Sequence, residues 1–213
     1  MNFTNKDGIR VVDQVIHIVQ ENRDYLSQID GEAGDGDHGI NMNKGMAFAR
    51  KELEKNDSNM SQGFITISKI LIEKIGGSMG PLYGSFFDGL GSVSKEKEVI
   101  DAQVMSEMFQ EAYENLSDLT DAKPGDKSLM DVLIPAIEAY ESRKQNFKEA
   151  LEAMEEAARE GLESTRMMIA KVGRASRLGE RSKGHLDAGA ASCCLILTAI
   201  CEASLMLLEE GSR

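Results

Sequence analysis

A chain of 213 residues, 41% hydrophobic and 28% charged, is long enough to bury one substantial core and reads as a single soluble globular domain spanning residues 1–213. Its formal charge of −12 argues against nucleic acid or an anionic membrane surface as partner, since both call for clustered Lys and Arg. No apolar run reaches the ~18–20 residues of a membrane span, the opening MNFTNKDG lacks the form of a leader, and Cys193, Cys194 and Cys201 crowd one apolar segment as core residues suited to a reducing cytoplasm.

Apolar residues recur at spacings of three and four almost throughout, and β-branched alternation is scarce, so the expected class is all-α. Thr4 and Asp7 resemble a capping box opening a first helix with Val11, Val12, Val15, Ile16 and Val19 inward, running to about Asp24 and extendable toward Ser27. A second helix is expected from about Gly39 to Lys55 and a third from about Ser61 to Ile75. GGSMGP stops the third, and Pro81 suits the first turn of the fourth, which turns Leu82, Phe86, Phe87 and Leu90 inward. A fifth runs from about Asp101 to Leu116, and DAKPGDKS is a loop. Ser128 caps a sixth, to about Arg143, in which Pro135 should kink the helix or free one carbonyl. The seventh covers about Phe147 to Ala170, KVGRASRLGERSKGHL is a long polar loop, and the last helix starts near Asp187, apolar nearly all round and hence buried centrally or in an interface. About eight helices imply a bundle.

Glycine and charge gather in four inter-helix loops, 30–39, 76–81, 121–128 and 173–189. If the helices alternate up and down, these four loops share one end, and loops on a rigid scaffold carry function. In the first, DGEAGDGDHGINMNKG, Asp30, Asp35 and Asp37 are hard oxygen ligands suited to Mg²⁺ or Ca²⁺. An EF-hand needs Glu at the twelfth place, where Asn41 or Met46 stands, and the G-x-G-x-x-G spacing of Gly34, Gly36 and Gly39 follows a helix rather than a strand. Three aspartates could hold two ions that in turn hold phosphate, inverting the loop's own charge. A solvated acidic turn is the plainer alternative.

GGSMGP, with Gly76, Gly77, Ser78 and Met79, precedes a helix N-terminus and so favours an anion. Arg174, Arg177, Arg181, Lys183 and His185 form a basic cluster, either a phosphate clamp or a charge-balancing surface loop. Asp187 is placed to cap the last helix. His17 reads as structural, whereas His38, between the acidic loop and its helix, is placed for chemistry or nucleotide contact.

Read together, D-x₄-D-x-D-H-G-x-N-M-N-[KR]-G, GG-x-x-GPL[YF]G, A-x-PGDK[ST] and GRAS-x-LGERS-x-GH-x-D-x-GA-x-S resemble the nucleotide-binding L subunit of dihydroxyacetone kinase, in order and over essentially the whole chain. The resemblance implies an eight-helix antiparallel barrel with ADP or ATP and two Mg²⁺ at one end. It implies Asp30, Asp35 and Asp37 as metal ligands and His38, Gly39, Ile40 and Asn41 as nucleotide contacts. Gly77, Ser78 and Met79 fall on the phosphate turn and Leu129 on the adenine side. Arg174 falls on the nucleotide, Asp187, Ala188 and Gly189 complete the pocket, and His38 and Arg174 are the catalytic candidates.

It further implies a phosphoryl relay from a phosphohistidine M subunit of the phosphotransferase system, through bound nucleotide, to dihydroxyacetone on a separate K subunit, with a homodimer as another assembly to consider. Ala188 stands where that family often has Pro, Met79 replaces a small polar residue, and Ser128–Leu129 replace Thr-Met. These departures keep open a paralogue acting on another keto sugar, direct use of ATP, or a nucleotide-bound regulator. His38, where related fatty-acid kinases tend to carry Thr, favours the dihydroxyacetone branch.

Overall fold

The computed structural model describes residues 1–211. Strand β1 (Asn2–Thr4) precedes helices α1 (Ile9–Glu21), α2 (Arg23–Ala33), α3 (His38–Leu53), α4 (Met60–Lys74) and α5 (Met79–Ser94). Strand β2 (Val99–Asp101) then leads into α6 (Ala102–Ser117), α7 (Met130–Arg143), α8 (Phe147–Ser164) and α9 (Ala188–Glu210), with 3-10 turns at Thr165–Met167 and Arg174–Ser182. Going round the molecule, α1 packs on α3, α3 on α4, and so on through α9, which returns to α1. Eight helices thus close a ring, as the resemblance implied, and α2 lies outside it against α3 and α9.

One end of the ring is closed by the strand pair, in which Phe3 lies opposite Ile100 and both side chains are buried. Beside it the buried Asn5 amide donates to Ser61 Oγ and to the Ser94 carbonyl, each at 2.8 Å, tying the chain start to α4 and α5. Arg10 pairs with Glu210 across α1 and α9, so those two helices run antiparallel. Inside, Phe3, Phe147, Tyr140 and Phe109 contact in sequence from ring to ring. Flexible Met42, Met46, Met60, Met105 and Met154 fill the irregular spaces between helices.

Side-chain caps start three of the helices. Asn59 and Gln62 form a reciprocal capping box for α4, and Asp101 and Asp187 accept N–H groups of the first turns of α6 and α9. Thr4 and Asp7 do bond to each other, at 2.6 Å between side chains, but they stabilise a turn, and α1 begins only at Ile9. The single first helix expected from the sequence is two, because the chain breaks at Asn22, whose side chain bonds back to the Ile18 carbonyl at 2.8 Å. Helix α8 stops at Ser164 rather than near Ala170, and part of the expected polar loop is wound into two short helical turns on either side of a kink at Gly179. Pro135 lies within α7, and the Asp131 carbonyl it leaves without a helical donor faces Gly161 of α8.

Helix α9 corrects one sequence expectation. Its 23 residues are long and apolar enough to cross a membrane, yet 78% of its most apolar window is buried in the protein. It is a ring helix covered on most sides, touching α1, α2, α7 and α8, and it carries the three buried free thiols.

Candidate functional site

Alternation of the ring helices brings the N-termini of α3, α5, α7 and α9 to the end opposite the strands. The four glycine- and charge-rich segments meet there, with one revision: Asp30 sits on α2, in its last turn, rather than in a loop. Gly36, at φ +75°, turns the chain sharply after α2 in a conformation that favours glycine. Gly39 permits a closer approach, since a Cβ on it would come within 2.0 Å of the Arg23 carbonyl oxygen. These two glycines dock α2 against the start of α3.

That docking gathers Asp30, Asp35 and Asp37, whose ligand oxygens all lie within 4.8 Å of one another. Asp30 also accepts the His38 N–H at 3.2 Å, so the α3 N-terminus is capped from α2 while the adjacent Asp37 side chain makes no cap. The Arg174 guanidinium pairs with Asp35 and reaches Asp37 at 3.7 Å. A cation therefore already stands among the carboxylates. The donor set, all carboxylate oxygen and partly open to solvent, fits Mg²⁺, which takes one or two protein carboxylates and keeps waters. Of the rest of the basic cluster, Lys183 pairs with Glu180 at 3.1 Å, His185 with Glu32 at 3.0 Å, and Arg177 and Arg181 are exposed.

His38 is held from the other side. Its Nε2 lies 2.8 Å from Ser192 Oγ on α9, and the Tyr83 hydroxyl on α5 lies 2.6 Å from the same oxygen and 3.0 Å from the Gly189 carbonyl. Burial lowers the His38 pKa to about 4, with Asp30 only partly opposing, so the ring is neutral near pH 7. Burial likewise raises the Tyr83 hydroxyl well above its ordinary value, which keeps it a donor. Tyr83 and Ser192 lie inside the motifs GPLYG and GAAS but were not singled out from sequence. Nothing local distinguishes them from core residues, and only the meeting of α5 with α9 assigns them a partner.

The remaining positions lie around this group. Gly77, at φ +76°, and Ser78 are exposed on an open turn ahead of α5, and Met79, half-buried, packs on the core edge. Leu129, buried, precedes α7 beside Gly189, and Ala188 opens α9. Burial raises the Asp187 carboxyl to about 6 despite the bond from Ala190 and the nearby Lys127. Asn41 is half-buried, but Ile40 points outward and is 48% exposed. His17, read as structural, is instead on the exposed face of α1 beside Glu21.

The sequence profile of the Dak2 family, the DAK2 domain, matches residues 32–202. The chain belongs to the Dak2 family. Among Dak2 relatives it is 37% identical, over 87% of its length and 88% of theirs, to the ADP-binding subunit DhaL of a PEP-dependent dihydroxyacetone kinase 2 from Listeria innocua. It is 36% identical, over 82% of its length and 85% of theirs, to the corresponding DhaL subunit from Escherichia coli. An L-erythrulose kinase from Pectobacterium atrosepticum is 34% identical over 86% of this chain, which spans 32% of that protein. The dihydroxyacetone kinase from C. freundii, whose crystal structure is a complex with AMP-PNP and Mg²⁺, superimposes with a TM-score of 0.65 at 22% identity. The match covers 90% of this Dak2 chain and 33% of that one, and at that identity it establishes the shared helical fold alone.

Proposed function

We propose that this chain is the nucleotide-carrying subunit of a dihydroxyacetone kinase, a single cytoplasmic domain that receives a phosphoryl group from a phosphohistidine protein and delivers it to dihydroxyacetone on a separate K-type subunit. The observation that carries this reading is the convergence of Asp30, Asp35 and Asp37 within 4.8 Å at the foot of α3, facing Arg174. The three carboxylates would hold two Mg²⁺ ions. Bound Mg²⁺ neutralises charge on the phosphate oxygens and aligns them for in-line transfer.

The chain's own groups do the rest. The open turn at Gly77, Ser78 and Met79 offers backbone N–H groups at a helix N-terminus, where an anion is favoured. His38, neutral and fixed through Ser192, with Gly39 to Asn41 behind it, presents a polar edge at the start of α3. Leu129 with Ala188 and Gly189 supplies the apolar side for adenine, Asp187 caps the helix that carries them, and Arg174 exchanges its carboxylate partners for phosphate. The DhaL names of the relatives support ADP as the resident nucleotide, and the erythrulose kinase relative supports a second reading in which the acceptor is a tetrulose.

Acid denaturation of the purified protein and assay of the supernatant tests the first step. Near-stoichiometric ADP, recharged by a phosphohistidine protein, is expected. Asp35→Asn should lower transfer by about two orders of magnitude while the helical circular dichroism is kept. Full transfer by Asp35→Asn would remove the metal reading.

A further inference from the structure

Lys127 is a lysine in an unusual place. The residue is 1% exposed, and its φ of +63° is a left-handed conformation that a non-glycine residue keeps only when its surroundings hold it there. Burying an ammonium demands that its protons be met. Here the three N–H groups face three backbone carbonyls, of Met168 at 3.3 Å, Ser182 at 2.6 Å and His185 at 2.7 Å.

Those carbonyls belong to the two ends of one segment. Met168 enters it, Ser182 and His185 leave it, and two further bonds close the same neck: Ala170 N–H to Ser182 Oγ at 2.9 Å and Gly184 N–H to the Arg166 carbonyl at 2.8 Å. The head beyond the neck turns at Gly173 and Gly179, both at positive φ, and carries Arg174 to Asp35. Lys127 is itself firmly seated. Asp131, in the first turn of α7, accepts the Gly125 N–H at 2.5 Å and the Ser128 N–H at 2.7 Å. Asp126 accepts from Lys171 Nζ at 3.0 Å.

We propose that Lys127 is a positioning residue for Arg174, its ammonium pinning the neck of the 168–185 segment so that the guanidinium is delivered to the carboxylate cluster and, in turn, to phosphate. A carboxylate in its place on the neck would fix a side chain; three carbonyls fix the path of the chain itself. The structural part stands on the contacts above, and the part concerning phosphate rests on the kinase reading.

The test uses the full chain with Lys127→Met, close in length and without charge, and with Arg174→Ala. In the protein as purified, Lys127→Met should speed amide hydrogen exchange across 168–185 at least tenfold over wild type and leave the strand end unchanged, while Arg174→Ala leaves the neck closed. In transfer assays, Lys127→Met should lower kcat by a factor close to that of Arg174→Ala, with KM for the phosphohistidine protein changed less than threefold. Added to Arg174→Ala it should cost nothing more. Unchanged exchange, or an undiminished loss in the Arg174→Ala background, would overturn the proposal. If Lys127→Met does not fold, the wild-type ammonium decides: a ¹⁵N-detected lysine signal protected from solvent exchange is expected, and exchange as fast as that of the surface lysines overturns it. A wild-type protein that transfers no phosphoryl group defeats the kinase reading, and the exchange measurements then judge the pin alone.

Discussion

Asp187 accepts the Ala190 N–H at 2.8 Å as the cap of α9, yet its carboxyl is pushed up to about 6. Burial is the largest cause, the bond from Ala190 and the charge of Lys127 oppose it, and Asp131 and Asp30 add to it. A carboxyl whose pKa is raised on folding holds its proton more tightly in the native state. Its contribution to stability is therefore complete below the unfolded value near 4 and is lost as the pH rises through about 6, a change of about 3 kcal/mol at most. Asp187→Asn keeps an oxygen for Ala190 and does not titrate. The stability of this variant minus that of wild type, from urea denaturation, should climb by about 2–3 kcal/mol between pH 4 and 6.5 and stay flat above pH 7. His38 titrates in the same window in both proteins and cancels in the difference. A flat difference from pH 4 to 7 would place the Asp187 carboxyl at an ordinary value.

Between elements, the contact that sets the site is α2 against α3. At Gly39 a methyl group would meet backbone, the Arg23 carbonyl oxygen at 2.0 Å and the Ser27 nitrogen at 2.7 Å, neither of which can rotate away. Gly39→Ala should therefore cost about 2–3 kcal/mol in denaturant unfolding and weaken Mg-nucleotide binding, because Asp30 rides on α2. Gly76→Ala, with nothing within 4 Å of the added atom, should change stability by less than about 0.5 kcal/mol. An equally small change at the two positions would mean that α2 shifts to admit the methyl group, and the close approach at Gly39 would then not set the cost. This element-scale view also shows what could be read in advance. The helices of the ring were legible because their apolar spacing is local: Val11, Val12, Val15, Ile16 and Val19 face inward as the pattern required. The break at Asn22 was not, because Leu26 and Ile29 continue the same spacing on a helix outside the ring. The short strands were missed because three residues carry no alternation worth counting. The acidic triad was legible as chemistry, but the buried role of Lys127 and the Tyr83–Ser192–His38 contact depend on residues far apart in the chain.

At the scale of the whole molecule the two ends are built differently. The strand end is closed by Phe3, Ile100 and the Asn5 bonds, apolar and neutral contacts that need no ligand. The opposite end concentrates three carboxylates whose only cation among the described residues is the half-exposed Arg174. Like charges so close raise the energy of the native state at that end, and a ligand that neutralises them binds the folded chain but not the unfolded one. Saturating Mg-ADP, at about 100 times Kd, should add about 2.7 kcal/mol, or roughly 5–11 °C in Tm for a chain of this size. Chelation of the metal should reverse it. The gain should also be local in amide exchange. Residues 34–37, 76–78, 121–128 and 168–187 should slow together on Mg-ADP and quicken on chelation, while β1, β2 and the chain around Asn5 exchange alike in both states. A shift in Tm with no difference between the two ends would mean that ligand tightens the ring as a whole, and the carboxylate repulsion would then not be what the metal relieves.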